Sequence, residues 1–121
     1  MEKIGKYEKT KSFKSYVFWI TGLPGSGKTT LGKKVLRYVK KNIGPSILIN
    51  GDDIRKIFKS YKYSKKERIK IVTSYSNLAK LINDHNINVI FTTNGFFDKI
   101  YKLNKKNFKN YIKIFIKTKF E

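Results

Sequence analysis

Apolar residues along the chain gather into short blocks separated by polar, lysine-rich stretches. The first block, Tyr16-Val17-Phe18-Trp19-Ile20, is continuous, as in a strand buried on both faces of a parallel sheet. After a glycine-rich turn at Gly22–Gly27, Leu31, Val35, Leu36 and Val39 recur at helical spacing. They predict a helix from about Lys28 to Lys40, ended by Gly44-Pro45. Ser46–Ile49 predicts a second, short strand, followed by a polar loop at Asn50–Asp53 and a short helix carrying Ile54, Ile57 and Phe58. Ser64 and Glu67 stand as in a capping box, opening a longer helix with Ile69, Val72, Ala79 and Ile82 along one face. A turn at Asp84–Asn88 leads into a third strand, Val89-Ile90-Phe91, which ends in Thr92-Thr93-Asn94-Gly95. A helix around Asp98–Lys106 and a fourth strand at Tyr111–Ile116 complete the pattern. In that strand Ile112, Ile114 and Ile116 alternate with Lys113, Phe115 and Lys117, as on an edge or incompletely covered strand.

Strands alternating with helices imply βαβ units, hence an α/β fold with three α/β/α layers and a mainly parallel sheet of about four strands. Residues 1–14 read as a basic, flexible leader and residues 15–121 as one domain, with no internal repeat.

Gly22-Leu23-Pro24-Gly25-Ser26-Gly27-Lys28-Thr29 matches G-x-x-x-x-G-K-[ST] in full, between a buried-type strand and an amphipathic helix. Glycines let the backbone wrap phosphate oxygens with its N–H groups pointing inward, and the helix N-terminus adds its positive dipole end. Gly22 to Thr30 therefore form the expected triphosphate site, with ATP as the nucleotide. Lys28 is expected to bridge the β- and γ-phosphates, and the Thr29 hydroxyl to sit on Mg²⁺. The alternative is a plain glycine-rich turn with a solvated lysine.

A second cluster, Asn50-Gly51-Asp52-Asp53-Ile54-Arg55, follows the second strand, at the strand end where open α/β sheets bind ligands. Asp52 could hold a Mg²⁺-bound water or take a proton from an attacking hydroxyl, and Arg55 could grip an anion. A turn with Asp53 as helix N-cap accounts for the same residues equally well.

The formal net charge is +20, nearly all of it lysine; Arg37, Arg55 and Arg68 are the only arginines. Lys, Ile, Asn, Tyr and Phe all have AT-rich codons, and the lysines are spread from Lys3 to Lys119. A biased genome explains that composition, so nucleic-acid binding is kept only as an alternative. The basic surface should still attract anionic nucleotides, less so in salt. Absence of cysteine excludes disulfides and Cys-ligated metal, and His85, between Asp84 and Asn86, reads as a solvated turn residue. No apolar run has membrane-spanning length and Met1–Ser15 lacks a signal-peptide core, so a cytoplasmic location is expected.

Trp19 through Leu31 resembles the opening of the adenylylsulfate kinases (APS kinases), P-loop NTPase-fold enzymes that transfer the ATP γ-phosphoryl to the 3′-hydroxyl of adenosine 5′-phosphosulfate. The family's D-G-D-x-x-R is matched by Asn50–Arg55, and its F-S-x-x-D-R by Tyr63-Ser64-Lys65-Lys66-Glu67-Arg68. The resemblance implies Asp52 as the carboxylate near Mg²⁺ and the acceptor hydroxyl, Arg55 and Arg68 on the substrate's anionic group, and Tyr63 stacked on its base. Taken alone, Arg68 reads as a surface partner of the first helical turn and Tyr63 as a hydrophobic staple. The sequence departs from the family at Asn50, at Ile71-Val72-Thr73-Ser74 in place of N-I-R-R, and at Thr93-Asn94-Gly95 in place of I-S-P. Thr92–Tyr101 is similar to a branch found with bacterial surface-polysaccharide genes, thought to phosphorylate modified nucleotides. The family's last strand and basic lid have no counterpart before Glu121, so a C-terminally truncated domain is expected.

These features together predict an ATP- and Mg²⁺-dependent kinase acting on adenylyl sulfate or a related modified nucleotide. The alternatives are an ATP-binding remnant without turnover and a basic nucleic-acid-binding protein. Expected partners are a nucleotide substrate, no nucleic acid and no membrane, with a homodimer as one option for assembly.

Overall fold

The continuous apolar blocks form the centre of a parallel sheet in the computed structural model, which describes residues 15–59, 64–94 and 98–117. The elements run β1 (Val17–Gly22), α1 (Lys28–Asn42), β2 (Ser46–Asn50), α2 (Gly51–Phe58), α3 (Lys65–Asn83), β3 (Asn88–Thr93), α4 (Asp98–Asn107) and β4 (Tyr111–Ile116). The sheet order is β2-β3-β1-β4 and every pairing is parallel. Every residue of β3 is buried, and β1 is buried apart from a half-buried Phe18, as their central places require. β4 lies at an edge among the described strands, and there Ile112 and Phe115, on opposite faces of the strand, are both exposed.

Helices cover both faces. Gly32 of α1 lies against Leu48, Ile90 and Thr92 on one side. On the other side Val17, Trp19, Val89 and Phe91 form the core with Val72, Tyr75 and Ala79 of α3 and Ile100 of α4. Trp19 stacks on Phe91 with centroids 4.7 Å apart, and Tyr75 meets the same ring at 5.1 Å. The buried polar groups between α3, α4 and β4 are linked to one another. Ser76 Oγ donates to Asn104 Oδ1 at 2.5 Å, Asn104 Nδ2 donates to the Tyr111 hydroxyl at 3.1 Å, and Asn107 Nδ2 donates to Ser76 Oγ at 3.1 Å. At the other end of the sheet, Asn88 Oδ1 accepts from the Tyr16 amide at 2.7 Å while its Nδ2 donates to Pro45 O at 3.0 Å, tying together the starts of three strands.

Ser64 caps α3 as the capping-box pattern predicts: its Oγ accepts from the Glu67 amide at 3.1 Å, and its hydroxyl donates to Glu67 Oε1 at 2.7 Å. His85 is exposed in the turn before β3. One expectation is corrected. Asn50–Asp53 is not a loop, and Asp53 is not an N-cap: α2 begins directly at Gly51, with Asn50 in the extended conformation as the capping position. Asp52 and Asp53 lie in the first helical turn, where carboxylates favour the helix dipole. The leader 1–14, Tyr63 and Gly95 fall outside the described residues.

Candidate active site

β1 ends in Gly22, and the chain turns through residues 23–27 into α1. Ser26 N donates to Leu23 O at 3.1 Å, and Leu31 N to Gly27 O at 2.9 Å, closing the loop and starting the helix. Gly27 caps α1 at φ 95°, ψ 18°, a left-handed conformation that costs a residue with a Cβ roughly 1–2 kcal/mol. No side chain caps this helix start and its first turn carries no acidic residue. Its free N–H groups and positive dipole end are therefore open to an anion.

These groups border a cleft of about 690 Å³ at the carboxyl ends of the strands. That volume is in the range of small-molecule sites, about 300–1,000 Å³. Pro24, Gly25, Gly27, Lys28, Thr29 and Thr30 form one wall. Asn50, Gly51, Asp52 and Arg55 face them from the β2–α2 junction, and Arg68, Ile71, Val72 and Tyr75 from α3. Thr92, Thr93 and Asn94 close the floor from β3. Of the residues expected at the phosphate site, Gly22, Leu23 and Ser26 are not on the cleft wall. A Cβ on Gly22 would stand 2.5 Å from Ser26 Oγ, so the serine side chain packs back against Gly22, and its hydroxyl has no hydrogen-bond partner. Leu23 contributes its carbonyl, which accepts from Lys28 Nζ at 3.0 Å.

Asp52 and Arg68, placed apart by the sequence, thus share one cavity with Lys28, Thr29 and Arg55. Arg55 Nη2 donates to Asp52 Oδ1 within the first turns of α2, a partly exposed pair that holds the guanidinium beside the carboxylate. Burial pushes the Lys28 ammonium below its usual pKa, an effect opposed by the Asp52 carboxylate. Burial pushes the Tyr75 hydroxyl upward, with Arg55 opposing and Asp52 adding. The described residues hold no cluster of three or more metal-ligating side chains. One hydroxyl and one carboxylate, Thr29 and Asp52, suit instead an ion such as Mg²⁺, which keeps waters and takes the rest of its oxygens from phosphates.

Sequence reasoning missed Ile71, Val72, Tyr75 and Thr92 as cleft residues. Arg68, Ile71, Val72 and Tyr75 stand at the i, i+3, i+4 and i+7 positions of one helical stripe, the signal that could have found three of them. Among the described residues no helix is long and apolar enough to cross a membrane.

Comparison with known proteins places the chain in a family. The family model for adenylylsulphate kinase matches residues 14–121. The cytidine diphosphoramidate kinase of Campylobacter jejuni is 40% identical over 101 residues, which make up 84% of this chain and 59% of that protein. Adenylyl-sulfate kinase 3 of Arabidopsis thaliana is 34% identical over 84 residues, 67% of this chain and 40% of that protein. The chain thus spans less than two thirds of either relative. The structure of the Mycobacterium tuberculosis APS kinase in complex with AMPPNP and APS superposes with a TM-score of 0.76 at 23% identity, covering 89% of this chain and 65% of that one. That likeness concerns the fold.

Proposed function

This chain belongs to the adenylylsulphate kinase family, and from that premise we propose that it is an ATP-dependent kinase whose acceptor is a hydroxyl of a modified nucleotide. The observation that carries the proposal is the single cleft that sets Lys28 and the α1 N-terminus opposite Asp52, Arg55 and Arg68. The loop wall would take the triphosphate, with Lys28 between the β- and γ-phosphates. Arg55 and Arg68 would hold the acceptor's anionic group. Asp52 would orient the attacking hydroxyl and receive its proton. The Pγ–O bond to ADP then breaks as the bond from the acceptor oxygen to Pγ forms, a reaction whose catalysis is mainly positioning and charge stabilisation. Mg²⁺, held by Thr29 and Asp52, would neutralise phosphate charge.

For the acceptor we favour cytidine diphosphoramidate over adenylyl sulfate. The relative named for the former shares 40% identity with this chain, against 34% for the plant adenylyl-sulfate kinase. At Ile71 the cleft wall is also apolar, where the family's N-I-R-R motif would place an asparagine, and the motif's two arginines are replaced by Thr73 and Ser74. A coupled ADP-release assay with ATP, Mg²⁺ and each acceptor in turn tests this. Faster turnover with cytidine diphosphoramidate is expected. Faster turnover with adenylyl sulfate would reverse the acceptor assignment, and ATP binding without turnover on either would refute the kinase.

A further inference from the structure

Two hydrogen bonds outside the phosphate loop converge on the β2–α2 junction. Tyr75, on α3, donates its hydroxyl to Gly51 O at 3.1 Å through a buried contact. Thr92, on β3, donates to Asn50 Oδ1 at 2.5 Å. Asn50 is the residue before α2 and Gly51 its first residue, so both bonds hold the turn from which Asp52 and Arg55 project.

That turn needs outside support. α2 has eight residues, and its capping side chain makes no cap hydrogen bond. A helix this short is unstable in isolation, and an uncapped start frays. The Asn50 side chain that could have capped it is engaged by Thr92 instead. The space around the junction is also closed: a Cβ on Gly51 would meet Tyr75 Cε2 at 3.1 Å and Thr92 O at 3.2 Å. The Tyr75 ring is itself backed by Phe91.

We propose that Tyr75 and Thr92 are positioning residues, whose hydroxyls clamp the first turn of α2 and so set Asp52 and Arg55 against the phosphate loop. The roles of Asp52 and Arg55 here rest on the kinase reading above. The clamp couples the acceptor side of the cleft to α3 through Tyr75 and to β3 through Thr92, whose methyl also packs on Gly32 of α1.

Tyr75→Phe and Thr92→Val each remove one hydroxyl and keep the side chain's bulk; Thr92→Ser restores it. Amide hydrogen exchange on the full chain should accelerate about tenfold at residues 54–58, the α2 amides with acceptors inside the helix, for each lost bond, since one intramolecular hydrogen bond contributes on that order. In Tyr75→Phe, which lies away from α1, exchange at residues 28–32 and ATP affinity should stay at the wild-type level, and Thr92→Ser, which keeps the hydroxyl, should restore wild-type exchange in α2. With cytidine diphosphoramidate or adenylyl sulfate as acceptor, kcat/KM for the acceptor should fall about tenfold while KM for ATP holds. Unchanged exchange at 54–58 in both Tyr75→Phe and Thr92→Val overturns the proposal. So does a parallel loss at α1 and in ATP affinity in Tyr75→Phe, which marks a general structural role. If the wild type turns over neither acceptor the kinase reading fails, and the exchange measurement still decides whether the clamp exists. If one variant does not fold, the other decides.

Discussion

Replacing Gly51 with alanine tests whether the β2–α2 junction is as closely packed as it is drawn. The added Cβ would lie 3.1 Å from Tyr75 Cε2, 3.2 Å from Thr92 O and 3.4 Å from Thr93 Oγ1. Carbon atoms rest at roughly 3.5–4.0 Å, so ring or helix must retreat by a few tenths of an ångström. Neither moves easily. The ring is held between Phe91 and its hydrogen bond to Gly51, and Thr92 O belongs to the central strand β3. Overpacking of this kind costs about 1–3 kcal/mol. Alanine returns at most about 1 kcal/mol through lower unfolded-chain entropy, and less at the first residue of a helix. Gly51→Ala should therefore destabilise by about 1 kcal/mol, lowering Tm by about 4 °C in a chain of this size. Circular-dichroism melts of both proteins measure this, with ATP affinity by calorimetry as a control that should not move. A variant melting at or above the wild type would show that the junction has slack, and would remove the steric basis of the clamp.

Lys28→Ala should reduce ATP affinity about 10- to 100-fold, the range for a hydrogen bond to a charged group, with Tm nearly unchanged; calorimetry and a melt on the same preparation check both. Affinity should also depend on pH. Burial lowers the Lys28 pKa in the free protein and phosphate raises it on binding, so affinity is highest below the free-state pKa. It should fall as pH rises from there toward the bound-state pKa, with proton uptake on binding; a pH-independent affinity in wild type would contradict the contact. Asn104→Leu removes the acceptor of the Ser76 hydroxyl and the donor to Tyr111. It should cost about 1–3 kcal/mol in urea unfolding while ATP affinity is retained. Raising salt from 50 to 300 mM should weaken ATP binding, because the +20 charge attracts the nucleotide through a screened field; a salt-independent affinity would remove that contribution.

The fold was legible where one residue pattern admits one environment. The block from Val17 to Ile20 has no polar position to turn outward, and it takes a central place. The half-polar β4 takes an edge. The glycines and Lys28 announce the phosphate loop because their spacing follows from backbone geometry alone. Asn50–Asp53 misled because polar residues after a strand suit a loop and a helix start equally; the contact from Thr92 to the Asn50 side chain comes from 42 positions away and is invisible locally. Tyr75 was hidden for the same reason. Its ring counts as core and its hydroxyl as function, and only the fold brings that hydroxyl to Gly51. Contacts between distant residues leave no local mark in the chain.

The edge position of β4 gives some of the lysines a duty unrelated to nucleotides. Among the described residues β4 has a paired neighbour only on the β1 side, and its sequence, Tyr-Ile-Lys-Ile-Phe-Ile, is rich in β-formers. A strand of that composition with a free edge is a template for sheet growth between molecules. Lys113, whose ammonium lies 4.2 Å from the centre of the Tyr101 ring, and the exposed Lys117 interrupt and end the apolar run. Where that edge is open they would act as gatekeepers, and the surplus of positive charge would keep molecules apart in the same way. Wherever this edge is open, part of the basicity that looks like a binding property would serve to keep the strand from pairing with its own copies.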